Sequence, residues 1–398
     1  MPGSVRKALS GLAGRHWIIA LASVESVRGG MLIVGLPVKL DRLGWSDLEL
    51  GLFAATGAAT YAVACLLYGF VIQRAPVRLL MTVSAAVCTL LALGLAALET
   101  RWALFALCAG HALGASLFWP SLMAWIGESD DAFLVGDMAA FNGSWMVGLT
   151  LGFLLGGAAE AAARGAANYA AAGLSLGLAL IVPLAHIRGR LATVGGPPSP
   201  PTAILLPRRF LAAGWIAAFL TVLSVGMPEA IFVKLNSQLH YGPGDFGTFF
   251  SLRGGAQTAV VLALAAFQGW RYRRWPLVGC LLASAAGGAF LAVASGKAAL
   301  GIGFALLGVG VGMGYSLGFY YSVHGRRNRK RNAGLFEALV ASQAVLGGPL
   351  GGLLAMHVGR RFPYALVAAL AALAALAQFL LLRRVAERLK GRAGAPRL

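Results

Sequence analysis

Inside a long apolar run that begins at Trp17, Glu25 and Arg28 stand three residues apart, a spacing that puts both on one face of a helix within pairing distance. An ionisable side chain at the centre of a bilayer costs about 2.5 to 3.5 kcal/mol on insertion scales, so each such residue marks either a neutralised structural pair or a functional group. Read as structure, Glu25 and Arg28 neutralise each other. Read as function, Glu25 takes up and releases a proton while Arg28 modulates how firmly that proton is held. His111 is a second proton-exchanging candidate, because an imidazole ordinarily titrates near physiological pH; a lone histidine also serves as a hydrogen-bonded packing residue. Glu229 follows Pro228, where a bent helix exposes carbonyl groups and can gate a path. Arg253, with Gln257 one turn further on, stays charged wherever it is placed and calls for an acid, Glu229 or Glu25. Tyr315 adds a ring and a hydroxyl. Phe118 and Trp119, about two turns beyond His111, present aromatic faces to a flat or amphipathic solute or to the core.

The chain that carries these residues is not that of a soluble enzyme. Of its 398 residues 59% are hydrophobic and 12% charged, whereas a soluble domain carries about 25% charged residues. Disorder and collagen-like repeats fail too, because apolar letters dominate and the 54 glycines keep no short period. The net charge of +19 sits in Lys and Arg blocks between apolar runs, which suits one face of a membrane protein and carries no nucleic-acid recognition motif. Cys65, Cys88, Cys108 and Cys280 lie inside apolar runs without CxxC spacing, so they read as small core residues rather than disulfide or zinc positions. There is no phosphate-binding glycine loop, no metal-ligand cluster and no nucleophile-base constellation in a loop. Neither enzymatic activity nor a cofactor or metal is therefore expected.

A helical span needs about 20 apolar residues. Hydropathy predicts twelve, near 16 to 37, 48 to 71, 78 to 98, 102 to 126, 136 to 159, 166 to 187, 209 to 234, 246 to 268, 276 to 295, 299 to 323, 333 to 357 and 363 to 383. Glu25 and Arg28 interrupt the first run and no small-residue cleavage site follows, so that span reads as retained. With the N-terminus cytoplasmic, 23 Lys and Arg fall on the inner side and 8 on the outer, which puts both termini inside. One inner loop, between spans 4 and 5, is acidic, with Glu128, Asp130, Asp131 and Asp137. A segment rich in glycine and proline, 188 to 208, separates a six-helix bundle at 1 to 187 from a second at 209 to 398, whose tail is basic.

The halves repeat at a nearly constant offset. Val38-Lys39-Leu40 recurs as Val233-Lys234-Leu235, Gly51-Leu52-Phe53 as Gly247-Thr248-Phe249, and Gly152 and Gly156 correspond to Gly348 and Gly352. Twelve spans as six plus six, a central linker and a basic loop after span 2 resemble the major facilitator superfamily over essentially the whole chain. The resemblance implies an all-α polytopic membrane protein of two pseudo-symmetric six-helix bundles, usually a monomer, in which spans 1, 4, 7 and 10 line a central cavity. The family signature in the loop after span 2 is represented here by Gly69, Gln73, Arg74 and Arg78, with Gln73 where the family usually has Asp and Pro76 where it has Gly. Gly148, Gly152, Gly156 and Gly157 in span 5 resemble the glycine motif of proton-driven antiporters, with Phe153 in place of its proline. Glycines four apart equally let another helix approach closely, as Gly310, Gly314 and Gly318 repeat in span 10. Glu25-Ser26-Val27-Arg28-Gly29 is similar to a first-span Glu-x-x-Arg-Gly pattern of some proton-coupled exporters of drugs and glycolipids.

The expected function is secondary active transport by alternating access, with protons driving export of a hydrophobic or amphipathic small molecule across a bacterial inner membrane. The nearly balanced intramembrane charge favours a neutral, zwitterionic or weakly cationic solute. Glu25, Arg28, His111 and Glu229 are the proton-coupling candidates, and Phe118, Trp119, Tyr315, Arg253 and Gln257 the substrate-binding ones. Gly69, Arg74, Arg78, Gly148, Gly152 and Gly156 are conformational or packing positions, and the basic run Arg326 to Arg331 meets anionic lipid headgroups. Two alternatives are uptake of a small polar nutrient and a non-transporting membrane receptor or assembly component.

Overall fold

The computed structural model describes residues 3–71, 75–127, 131–185, 208–323 and 329–393. Twelve helices in it are long and apolar enough to cross a membrane. Spans 1 to 6 are His16–Arg42, Asp47–Tyr68, Val77–Ala97, Arg101–Met123, Ala140–Ala162 and Ala166–Leu184. Spans 7 to 12 are Arg209–Glu229, Pro243–Ala266, Arg274–Val293, Lys297–Ser322, Leu335–His357 and Phe362–Leu382. All twelve coincide with the hydropathy reading to within a few residues, because length and composition are all a span requires. Two depart from one unbroken rod. Span 4 is interrupted at Ser116 and Leu117 between helices Arg101–Ala115 and Phe118–Gly127, four residues before Pro120, whose ring displaces the carbonyl at that position and whose missing N–H leaves it unbonded. Span 7 ends at Glu229, next to Pro228, and a short helix Phe232–Gln238 follows. Most of the linker predicted at 188 to 208, and with it Gln73, Arg74, Glu128, Asp130 and Arg326, lies outside the described residues.

The surface is inverted relative to a soluble protein. Leu66, Leu90, Leu180 and Val293 are among many large apolar side chains more than half exposed, which the hydrocarbon of a bilayer solvates at no cost. What is buried is close-packed, with glycine and alanine at helix contacts and aromatic rings in the core clusters. The chain divides into two compact units. The first comprises Met1–Trp45, Phe53–Pro198 and His240–Ser251. In it span 1 packs extensively against spans 5 and 6, and Ile18, Leu21, Met81, Phe118, Leu122 and Leu178 share one core cluster. The second comprises Ser46–Leu52, Ser199–Leu239 and Leu252–Leu398. There span 9 packs against spans 10 and 12, around Phe210, Ala217, Leu277, Cys280, Leu317 and Tyr321.

The repeat seen in the sequence is expressed as matching contacts. Within the second unit Gly51 lies on Gly348, and Gly352 on Asp47 and Leu48. Within the first unit Gly247, 196 positions after Gly51, lies on Phe153 and Gly157, and Gly157 also on Pro243. Each unit also closes the C-terminal end of its third helix with a cation. Lys39 Nζ donates to the carbonyls of Leu95 at 2.7 Å, Ala96 at 2.8 Å and Leu98 at 2.5 Å. Arg361 donates to those of Ala292 at 3.1 Å and Ala294 at 2.9 Å and to Ser295 Oγ at 3.0 Å. These are the orphan carbonyls and the negative dipole end of spans 3 and 9, where a positive charge is favourable.

Span 1 meets span 5 through glycine. A Cβ on Gly148 would strike the backbone of Ser23, one on Gly152 that of Val27 and Gly30, and one on Gly156 that of Met31. The two helices thus approach to backbone contact over the turns that carry Glu25 and Arg28. Replacing Gly152 with Val forces them apart and should cost about 1 to 3 kcal/mol, the usual range for overpacking, seen as a lowered Tm of the detergent-solubilised protein. Gly177→Ala, where the added Cβ meets nothing within 4 Å, should leave Tm unchanged.

Candidate functional site

Arg28 is the centre of the site in the first unit. Its Nε donates to Glu25 Oε2 at 2.8 Å and its Nη2 to Glu25 Oε1, so the i, i+3 pair anticipated from the sequence forms as a two-pronged fork. The third prong, Nη1, lies 2.6 Å from His111 Nε2 on span 4. A guanidinium has no acceptor atom, so Nε2 of His111 accepts and the imidazole is held with that nitrogen unprotonated. Glu25 and Arg28 are 4% and 3% exposed. One permanent cation is therefore shared between a carboxylate and an imidazole on two different spans, in surroundings that exclude water.

The neighbouring elements fix this triad. The glycine stripe of span 5 presses on the opposite side of the same turns of span 1, through Ser23, Ser26, Val27 and Gly30. Span 3 holds span 4 in register, with Ser84 Oγ donating to the carbonyl of Gly114 at 2.8 Å and Cys88 Sγ to that of His111 at 3.8 Å. The backbone that carries His111 is thereby held against span 3.

The other candidates gather in the second unit. Arg253 Nη2 donates to Glu229 Oε1 at 3.3 Å, which answers which acid serves Arg253. Glu229 is the more exposed member, its side chain 24% accessible against 9% for Arg253. Span 10 seats against this segment of span 8 at Gly308, which touches the Arg253 backbone, and at Gly312, which touches that of Gln257. Three residues beyond Gly312, Tyr315 Oη donates to Glu337 at 2.6 Å, between the rings of Phe319 and Phe336. The second unit thus carries two separate polar pairs, Glu229 with Arg253 on spans 7 and 8 and Tyr315 with Glu337 on spans 10 and 11.

One expectation falls elsewhere. Phe118 is 1% exposed in the core cluster, packed edge-on against Trp119 at 5.8 Å, and Trp119 in turn against Phe141 at 5.9 Å. Phe118 offers no face to a solute; the helix break before it turns the pair into the core. Gly69 lies in the last turn of the helix Asp47–Val71, and Arg78 is exposed in the first turn of span 3. Arg74 lies outside the described residues. Gly148, Gly152 and Gly156 act here as close packing.

Two ion pairs with buried acids escaped the sequence reading. Arg42 Nη1 donates to Glu160 Oε1, whose residue is 2% exposed, and Arg360 Nε donates to Asp47 Oδ2 at 3.2 Å. Each joins positions more than 100 residues apart near span ends, where a charge carries no alarm. The only signal available was that Glu160 lies within an otherwise apolar span.

Twelve spans and buried charges shared between helices define a polytopic membrane protein of the solute-transporter fold. Residues 214–397 match the model described as Major Facilitator Superfamily. Solved structures share the fold at low identity. The nucleoside transporter NupG aligns with a TM-score of 0.72 at 14% identity, over 92% of this chain and 98% of its own. The peptide transporter POT in complex with sulfate gives 0.75 at 14%, over 94% of both chains. A bacterial homologue of the human lysosomal transporter Spinster, inward-facing and unoccupied, gives 0.72 at 13%, over 95% and 97%. No curated protein matches the sequence.

The triad makes a direct stability prediction. Arg28→Met strands the Glu25 carboxylate in a buried site and should cost about 3 to 5 kcal/mol, the usual penalty for breaking a buried pair from one side. Combining it with Glu25→Gln removes the stranded charge and should recover part of that loss. Thermal denaturation of the single and double variants in detergent checks both.

Proposed function

We propose that this protein is a secondary active transporter in which protons drive export of a hydrophobic or amphipathic small molecule by alternating access, with Glu25 as the proton carrier. The observation that carries the reading is the sharing of Arg28 between Glu25 and His111 across spans 1 and 4. When Glu25 is ionised, two of the three donor positions of Arg28 are engaged by its carboxylate. A proton on Glu25 cancels that charge and leaves the guanidinium to His111 or to an incoming acceptor. Proton binding thus changes the energy of the contact between spans 1 and 4, and any rearrangement or solute that alters that contact changes proton affinity by the same amount. Arg28 is the modulator and His111 the alternative partner; Glu229, the more exposed member of the second ion pair, is a further proton site.

The charges within the spans support the solute class. Glu25 is matched by Arg28 in the first unit and Glu229 by Arg253 in the second, which leaves little surplus positive charge for a strongly anionic solute, and Tyr315 with Phe319 and Phe336 provides an aromatic cluster in the second unit. Export is supported by the likeness of the span 1 and span 5 patterns to those of proton-driven exporters. Residence in a bacterial inner membrane as a monomer, with both termini cytoplasmic and basic loops on anionic headgroups, completes the proposal. Uptake of a polar nutrient is the second reading, supported by the nucleoside and peptide transporters among the structures that share the fold.

The test is proton movement in reconstituted vesicles reported by a pH-sensitive dye, with amphipathic drugs, lipids, nucleosides, sugars, peptides and amino acids presented in turn. An amphipathic compound should evoke proton flux that falls at least tenfold in Glu25→Gln. Flux that survives in Glu25→Gln overturns the assignment of the proton to Glu25, and counterflow of a polar nutrient alone overturns export. Movement of no solute returns the chain to the non-transporting class.

A further inference from the structure

A groove runs along the lipid-facing side of the first unit, outside the charged site. Spans 5 and 6 each pack on span 1 but touch each other sparsely, so a cleft of about 550 Å³ remains between them. Val27 and Met31 form its floor, with Leu155 and Ala159 on one wall and Ala170 and Gly173 on the other. All lie within membrane spans, and none of these side chains carries nitrogen or oxygen, so water entering the groove finds no hydrogen-bond partner there. The volume falls in the range of small-molecule sites. At Gly173, exposed on the wall, an added Cβ would meet nothing within 4 Å.

What covers such a groove is decided at its end. The turn joining spans 5 and 6 begins just past Ala162, one turn beyond the groove residue Ala159, and its Arg164 is exposed. The loop is tied down. Glu160 accepts the N–H of Gly165 at 2.9 Å as well as the guanidinium of Arg42, and Gly165 takes a left-handed φ of 77° that turns the chain into span 6. Tyr169, half exposed one residue before the groove wall, has the ring and hydroxyl suited to a membrane interface. An exposed cation on a fixed turn and an interfacial tyrosine thus stand at the end of a purely apolar slot, the charge and polarity pattern of a phospholipid.

We propose that this groove seats an acyl chain of an anionic phospholipid whose phosphate is held by Arg164. The proposal is independent of the transported solute and of the direction of transport. It places a lipid at the opposite ends of spans 5 and 6 from the acidic loop and the central linker.

Full-length protein in nanodiscs of phosphatidylcholine and phosphatidylglycerol, with a trace of phosphatidylglycerol bearing a mid-chain diazirine, reports the seat directly when illuminated and mapped by peptide mass spectrometry. Adducts on residues 155 to 174 should exceed those around the equally lipid-facing Leu90 at least threefold. They should fall to that background in Gly173→Leu, and drop at least twofold in Arg164→Gln or when the probe is phosphatidylcholine. Even labelling of the wild-type surface overturns the seat whether or not Gly173→Leu folds, and undiminished labelling in a folded Gly173→Leu does the same. Equal labelling by the two headgroups, or no effect of Arg164→Gln, overturns the role of Arg164.

Discussion

Arg28 cannot give up its charge, and it lies in the middle of a membrane span where no bulk water reaches it. That single constraint organises the first unit. The guanidinium must be satisfied from within the protein, so Glu25 sits one turn away and His111 is brought up from span 4. A fork with partners on two helices works only if both helices hold their positions. The glycine contacts of span 5 and the span 3 hydrogen bonds to span 4 provide this. The polar site and the apolar packing are thus one arrangement, since loosening either exposes an unpaired charge to hydrocarbon.

Glycine is the means by which a membrane protein achieves such packing. Lipid tails are as apolar as leucine, so helices gain little from burying large side chains against one another and gain more from close backbone approach. The 54 glycines concentrate on this task. Gly148, Gly152 and Gly156 carry span 5 onto span 1, Gly310, Gly314 and Gly318 carry span 10 onto its neighbours, and Gly51 and Gly247 take corresponding contacts in the two units. The large residues are left to face the bilayer or to fill the aromatic clusters.

Charges away from the centre obey the same rule at lower stakes. Lys39 and Arg361 satisfy the exposed carbonyl ends of spans 3 and 9, and Glu160 neutralises Arg42 while fixing the turn into span 6. Because backbone groups at a helix end cannot be bonded within the helix, these side chains do near the membrane surface what Glu25 does at its centre.

The number and limits of the spans, the duplication and the pairing of Glu25 with Arg28 were legible in the sequence, because each rests on local composition or on the helical period. The bend of span 7 was legible in Pro228, whereas the break in span 4 was not read from the sequence. The third member of the triad was different. His111 was visible only as an isolated histidine, and 83 residues separate it from the cation it accepts from. Likewise Glu229 and Glu25 were equal candidates for Arg253 until the folding of span 7 beside span 8 selected Glu229, and Phe118 was open to a solute or to the core until packing buried it. Hydropathy and periodicity are properties of one helix. Which faces meet depends on how helices are rotated and brought together, and only tertiary packing determines that.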